Sequence, residues 1–325
     1  MSKMIRIIPA LAVSLLLAGC GGQTGGDAPS GGEKFKIVFS QCNSAEPYRA
    51  VQNKIFQTAV QEKYAGIVDF HITDAQQDNM KQIGQIENII LQGVDLLIVA
   101  PNEAAPLTNV VRQAHEAGIK VICLERDLAA PVYDLFVGAD NVEIGEMAGQ
   151  HVQKYLKSRG IENPVVVEMK GLLGTKPQQE RHEGGRKFID AVPGVKVIED
   201  VANWLQSEAK KRMETQIQAH PKIDAVYAHN DPMAVGCYLA AREAGREGEM
   251  IFVGVDGLGG QAGGIKKVID GVLQCTFIYP PCAAEAIDYA VAMLKGEAVP
   301  ERVILKPTKI TQENAQEWYM KATIE

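Results

Sequence analysis

Residues 67–100 read IVDFHITDAQQDNMKQIGQIENIILQGVDLLIVA. Two apolar runs, 67–72 and 96–100, flank a segment of different period. Between them Met80, Ile83, Ile86, Ile90 and Leu91 follow helical spacing. Asp78 stands where a helix N-cap belongs, and Gly93 where the helix should stop. Apolar run, amphipathic helix, apolar run is a strand–helix–strand unit. Its crossover helix makes the two strands parallel.

The same alternation runs outward in both directions. Apolar runs fall at 36–40, 67–72, 96–100, 120–124 and 135–138. A second series falls at 165–169, 195–198, 225–228, 251–255 and 273–278. Val and Ile dominate without polar alternation, as expected for parallel strands buried on both faces. The segment 228–245 is another helical pattern, with Asp231-Pro232 near its start and Gly245 at its end. Ten strands separated by helices predict an α/β fold of two doubly wound parallel sheets rather than one barrel. The series divides near Ala139, Asp140 and Asn141.

The 325 residues are 46% hydrophobic and 22% charged, an ordinary globular composition that excludes a wholly disordered or coiled-coil chain. The formal charge of −7 speaks against nucleic acid as the main partner. The first residues are atypical. Lys3 and Arg6 precede an apolar run, 7–18, too short to span a membrane. It ends in LAGC (17–20), which resembles a bacterial lipobox with Cys20 as the lipidated residue. A plain secretory signal, or a short buried helix ending in Cys, reads from the same residues. The segment 21–32 holds six glycines in twelve positions and suits a flexible tether. Lipidation of Cys20 would attach the folded part to a membrane surface. No later segment reads as a transmembrane helix. Cys42, Cys123, Cys237, Cys275 and Cys282 show no C-x-x-C spacing, so neither a disulfide framework nor a zinc site is expected.

Ligands of doubly wound sheets sit at the carboxyl ends of strands. The residues following the runs are therefore the candidates. Glu46, Tyr48 and Arg49 follow the first run, and Glu125, Arg126 and Asp127 the fourth. Gln179, Glu180 and Arg181 lie beyond the sixth, and Asn203 and Trp204 beyond the seventh. His229, Asn230 and Asp231 follow the eighth, Asp256 and Gly257 the ninth, and Tyr279 the tenth. Asp, Asn and Arg bond vicinal hydroxyls, and aromatic rings pack on the C–H face of a sugar. The mixture suits a neutral polyol.

Five stretches carry a family resemblance: VICLERD (121–127), VGADNVEIGEMAG (137–149), GLLGTKPQQERHEGGRKF (171–188), AHPKIDAVYAHNDPMAVG (219–236) and IFVGVDG (251–257). In order and spacing the chain resembles the periplasmic sugar-binding proteins of ABC transporters, of the ribose- and galactose-binding type. The resemblance covers about residues 35–310. It implies two lobes joined by a three-segment hinge, with crossings near Ala139, Tyr279-Pro280 and Pro307. Together with the reading of the first residues, it divides the chain into a lipoprotein signal peptide (1–19), a lipidated Cys and tether (20–34), an N-terminal lobe (35–139 plus 280–306) and a C-terminal lobe (140–279 plus 307–325). It implies a ligand trapped as the lobes close. Arg126 matches the family arginine that bonds sugar hydroxyls, and Glu125 stands in the place of the usual aspartate. Asn230 and Asp256 match the second lobe's amide and carboxylate ligands, and Trp204 an aromatic that packs on the ring. Three positions depart from the ribose pattern: Tyr48-Arg49 where two phenylalanines often occur, Gln179 where an arginine is usual, and Tyr279 where a glutamine is usual. Glu46 completes the expected ligand-binding set. The departures admit another pentose, a hexose, a sugar alcohol or a cyclitol, and Arg49 leaves a sugar acid open.

Structural readings stand beside these. Asn230 and Asp256 also suit helix N-caps. Trp204 suits a core or surface aromatic, and Arg126 a surface pair with Glu125 or Asp127. Arg181 beside Glu180 and Glu183 reads as structural. The run GVDGLGG (254–260) misses the dinucleotide spacing. His182, His220 and His229 lack metal spacing, and no nucleophile motif is present. The expectation is a monomeric, lipid-anchored, non-enzymatic binding protein without a cofactor, lying in the cell envelope at the periplasmic or extracellular face. It would deliver a sugar or polyol to an ABC transporter permease. The alternative is a subunit presenting its ligand to a chemoreceptor or membrane sensor kinase.

Overall fold

A computed structural model describes residues 33–324. Cys20, the signal segment 1–19 and the glycine-rich stretch 21–32 lie outside the described residues. Among the described residues, twelve strands form two six-stranded sheets. The first contains β1 (Phe35–Gln41), β2 (Val68–Asp74), β3 (Leu96–Val99), β4 (Lys120–Leu124), β5 (Leu135–Ala139) and β11 (Arg302–Leu305), in the order β11-β5-β4-β3-β1-β2. All its pairings are parallel. The second contains β6 (Val165–Lys170), β7 (Lys196–Val201), β8 (Ala225–Ala228), β9 (Ile251–Val253), β10 (Cys275–Ile278) and β12 (Thr308–Thr311), in the order β12-β10-β9-β8-β6-β7. Only β12 runs antiparallel to its neighbour.

The helices are α1 (Pro47–Ala59), α2 (Asn79–Gln92), α3 (Ala104–Glu116), α4 (Asn141–Ser158), α5 (Lys176–Ile189), α6 (Gln206–Ala219), α7 (Asp231–Glu243), α8 (Gly264–Ile269), α9 (Ala283–Leu294) and α10 (Ala315–Ile324). The opening unit is β2-α2-β3. The Asp78 carboxylate accepts the Lys81 N–H at 3.0 Å and starts α2. Gly93 ends it in the left-handed conformation, φ 62°.

The α/β architecture of two lobes is present. The ten runs read from sequence are strands, but two of them are not buried on both faces. β2 and β7 are edge strands with Asp, Glu, His and Lys on their open sides, and no residue of β7 is fully buried. The run pattern missed β11 and β12, which are four residues long and half-exposed. Both lie next to Pro307, where the chain passes from the first sheet to the second. The other two passages are β5 into α4 and β10 into α9. One apolar cluster runs through these passages, from Phe39, Ile98 and Val137 by way of Ala139 and Tyr279 to Tyr227, Val253 and Phe277. It makes the hinge part of the core.

Helices α4 and α5 approach until their backbones touch. A Cβ on Gly149 would lie 2.3 Å from the Gly185 carbonyl oxygen, and one on Gly184 2.3 Å from the Val142 carbonyl oxygen. Only glycine fits such contacts, because backbone cannot swing aside as a side chain can. Gly149→Val is expected to lower the unfolding free energy by about 2–3 kcal/mol, read by urea denaturation. Gly248→Val, at an open position, should change it little.

Candidate functional site

The first sheet offers a constellation of charge. After β1, the Asn43 side-chain oxygen accepts the Ala45 N–H at 3.0 Å, and its amide donates to Glu46 Oε1 at 2.7 Å. This fixes Glu46 at the start of α1, whose first residue is Pro47. Arg49 follows in the first turn and donates from Nη1 to Glu125 Oε2 at 2.7 Å. Glu125 follows β4 with a left-handed backbone, φ 65°. Arg126 lies 3.7 Å from both Glu125 Oε2 and Glu46 Oε1, and its Nη1 donates to the Asn102 carbonyl at 3.3 Å. Burial alone would push the Glu125 carboxyl up. Arg49, Arg126 and Arg181 outweigh it and hold the carboxyl below its usual range.

The second sheet supplies the facing wall. Asn203 and Trp204 follow β7, both with positive φ. Such backbone is strained and needs support. The Trp204 carbonyl receives the Asn230 side-chain amide at 3.1 Å, and the indole lies flush on Gly171. A Cβ there would sit 2.2 Å from the ring. Arg181, on α5, donates from Nε to Asn141 Oδ1 at 3.0 Å and from Nη1 to the His229 carbonyl at 2.6 Å. The Arg126 and Arg181 guanidinium carbons lie 5.6 and 5.8 Å from the Trp204 ring centroid. One indole thus receives a cation from each lobe. Asp256 stands between β9 and β10 with φ 127° and makes no side-chain hydrogen bond among the described residues. Burial and the neighbouring Asp231 carboxylate push its carboxyl well up, while Arg181 pulls it down.

The predicted residues separate into three groups. Glu46, Arg49, Glu125, Arg126, Trp204, Asn230 and Asp256 come together where the sheets' carboxyl ends face each other. Asn230 also caps α7, its Oδ1 accepting the Met233 N–H at 3.0 Å. Asp256 caps no helix, since α8 begins only at Gly264. Arg126 is 2% exposed, so it forms no surface pair; Asp127 binds Arg302 instead at 3.0 Å.

Tyr48 and Tyr279 belong to the hinge. Tyr48 donates to the Pro280 carbonyl at 2.9 Å. Tyr279 donates to the Glu125 carbonyl at 3.2 Å and accepts the Ala139 N–H at 3.0 Å. Gln179 lies on the exposed face of α5 and does not join the cluster. The helix turns about 100° per residue, so Arg181, two positions on, faces inward in its place. Arg181 was expected to be structural, which its bonds to Asn141 and the His229 carbonyl fit, but its place beside Trp204 was not foreseen. The signal was the buried series Gln178, Arg181, Gly184 and Gly185 on one face of α5.

Beneath Trp204 lies a second polar network. Glu168, wholly buried, meets His182 Nδ1 at 2.8 Å, His229 Nε2 at 3.0 Å and Arg186 Nη1 at 3.5 Å. Burial would raise its carboxyl, but the two histidine hydrogen bonds hold it down at about 2. Glu168, His182 and Glu199 have metal-ligand proximity, which their separation in sequence concealed. Lys170 and Arg186 already pair with Glu199.

A two-lobed binding protein is the class that this fold and site define. The chain belongs to the periplasmic binding protein family, whose domain model matches residues 37–298. Among its relatives, the ribose import binding protein RbsB of Bacillus subtilis is 29% identical over 316 residues, covering 95% of this chain and 99% of the relative. The galactofuranose-binding protein YtfQ of Escherichia coli is 29% identical over 294 residues, covering 86% and 89%. Among solved structures, the fructose-binding periplasmic domain of a hybrid two-component system superposes with a TM-score of 0.84 at 37% identity, covering 89% of this chain and 95% of that one.

Two outcomes test this geometry. Gly171→Ala should displace the Trp204 indole and lower its fluorescence shielding, read as increased iodide quenching. Glu168→Gln should be less stable than the wild type at pH 7 by about 2–3 kcal/mol, the free energy carried by a carboxyl depressed from about 4.3. A depressed carboxyl stabilises the fold above its unfolded value and loses that effect as pH falls. The gap between wild type and variant should therefore close between about pH 5 and pH 2 in urea titrations.

Proposed function

We propose that the chain is a solute-binding protein that captures a sugar or polyol between its lobes and delivers it to an ABC transporter permease. One observation carries the reading. Arg49 Nε, Arg126 Nε and Trp204 Nε1 are buried donors without a hydrogen-bond acceptor among the described residues, and they come from both lobes of one site. Buried donors need acceptors. A polyol supplies many oxygens at once, and its C–H face suits the indole. The names of the three relatives, ribose, galactofuranose and fructose binders, support the same class. Ligand bonds to both lobes form only when these are closed. Binding therefore shifts the population toward the closed form that a permease would recognise. No chemical step is involved.

In this reading the protein works as a monomer in the cell envelope, held to a membrane by lipid on Cys20. No helix among the described residues is long and apolar enough to cross a membrane. A second reading, a subunit that presents its ligand to a sensor kinase, is favoured by one finding. The structural neighbour at 37% identity is the periplasmic domain of a two-component system. Co-purification from membranes with a permease or with a kinase separates the two.

A thermal-shift panel of pentoses, hexoses, polyols, cyclitols and sugar acids should reveal the ligand, because binding to the native state raises apparent stability. With that ligand, Arg126→Ala and Asp256→Ala should each weaken affinity at least about tenfold by isothermal titration, or about 1.4 kcal/mol. Far-ultraviolet circular dichroism should stay unchanged. Wild-type affinity in both variants would refute the site.

A further inference from the structure

Asp256 is held in place from outside its own loop. Its backbone, at φ 127°, lies in a region that a residue with a side chain rarely adopts. Asp231, the first residue of α7, brackets it. The Asp231 N–H donates to the Val255 carbonyl at 2.6 Å, and Asp231 Oδ2 accepts the Gly257 N–H at 2.8 Å. The residues before and after Asp256 are thus bonded to the same aspartate. Asp231 Oδ1 accepts the Thr276 hydroxyl at 2.6 Å, which ties the bracket to β10. From that side the Asp256 N–H donates to the Phe277 carbonyl, and its carbonyl accepts the Tyr279 N–H, both at 3.0 Å.

The Asp231 carboxylate also sits in a cradle cut to its size. A Cβ on Gly254 would lie 2.3 Å from its Oδ1, and one on Gly264 1.8 Å from its Oδ2. Neither a longer side chain at 231 nor a methyl at the two glycines fits. An N-cap explains none of this, because Asn230 already caps α7.

We propose that Asp231 is a positioning residue of the binding site, a bracket that holds the strained Asp256 so that its carboxyl faces the arginines of both lobes. The proposal rests on Asp256 being a ligand contact, as read above. Burial pushes the Asp231 carboxyl up to about 7, against the pull of Thr276, Gly257 and Arg181. Burial and Asp231 itself raise Asp256, with Glu46 adding to the rise and Arg181 and Arg49 opposing it. Cys275, beside Thr276 on β10, feels the Asp231 charge as well. Two buried carboxyls this close titrate as a pair. A raised carboxyl takes up a proton as pH falls through its value. Ionised Asp256 is the stronger acceptor for a ligand hydroxyl, so affinity should rise with pH as this raised carboxyl ionises.

The test has two arms. The first needs no ligand and uses the protein labelled with ¹³C and ¹⁵N at aspartate and glycine. In Asp231→Asn, which keeps the shape of the side chain, the Asp256 carboxyl should titrate at least one pH unit lower than in the wild type. The Gly257 amide resonance should stay near its wild-type position in Asp231→Asn and move in Asp231→Ala. An Asp256 titration unmoved by Asp231→Asn, or a Gly257 amide unmoved by Asp231→Ala, overturns the proposal.

The second arm measures affinity for D-ribose, D-fructose, D-galactose and myo-inositol between pH 5.5 and 8.5. Asp231→Ala should lose at least tenfold. Asp231→Asn should recover to within about threefold, with a flattened pH profile. An Asp256→Ala variant that binds like the wild type refutes the ligand reading of Asp256 alone, and the first arm still decides the bracket. Loss of binding in Asp256→Ala with full binding in Asp231→Ala refutes the bracket alone.

Discussion

Three guanidinium groups, those of Arg49, Arg126 and Arg181, are buried where the two sheets meet, at 1%, 2% and 3% exposure. Burying a charge is costly unless it is paired and hydrogen-bonded. Most of the site's construction answers that requirement. Glu125 takes Arg49 directly and stands near Arg126. Asn141 and the His229 carbonyl take Arg181. Trp204 offers its π-face to two of the three. The donors left over are those from which the proposed recognition of ligand oxygens is built.

Each of these partners is held by something further out. Glu125 depends on a left-handed turn whose carbonyl is bound by Tyr279. Tyr279 also takes the Ala139 N–H. A single hydroxyl therefore links two passages between the sheets to the backbone of a site residue. His229 is fixed by Glu168, and Glu168 by His182 and Arg186. Polar networks of this kind are strong only when nearly every member is satisfied. The passages between the sheets and the geometry of the site share the same few hydrogen bonds.

The sequence carried the fold to the extent that burial is written in runs. β3 (LLIV) and β8 (AVYA) are apolar and buried along their whole length, β1 and β4 over most of theirs, and all four were legible. β11 and β12 were not, because four half-exposed residues such as RVIL and TKIT look like many loops. In the site, residues placed directly by a strand end, such as Glu125, Arg126 and Asp256, were legible from position alone. Arg181, which lies beyond the first turn of a helix, was not. Choosing Gln179 over Arg181 is a choice of helical face, and that depends on where α4 packs. Tyr48 and Tyr279 illustrate a third case: they stand beside the cluster, but their hydroxyls serve the backbone, which sequence does not show.

Neither sheet is contiguous in the chain. β5 at 135–139 borders β11 at 302–305, and β10 borders β12 near the end of the described residues. During synthesis from the N-terminus, the first sheet lacks an edge strand until residues 302–305 have emerged. The second waits longer still. Until then β5 and β10 present open edges, which invite pairing with other chains. The completing contacts bridge long separations, so loop closure precedes their gain and folding should be slow. The arrangement that lets two lobes share one site therefore also makes the short stretch from Arg302 to Thr311 a condition for finishing both.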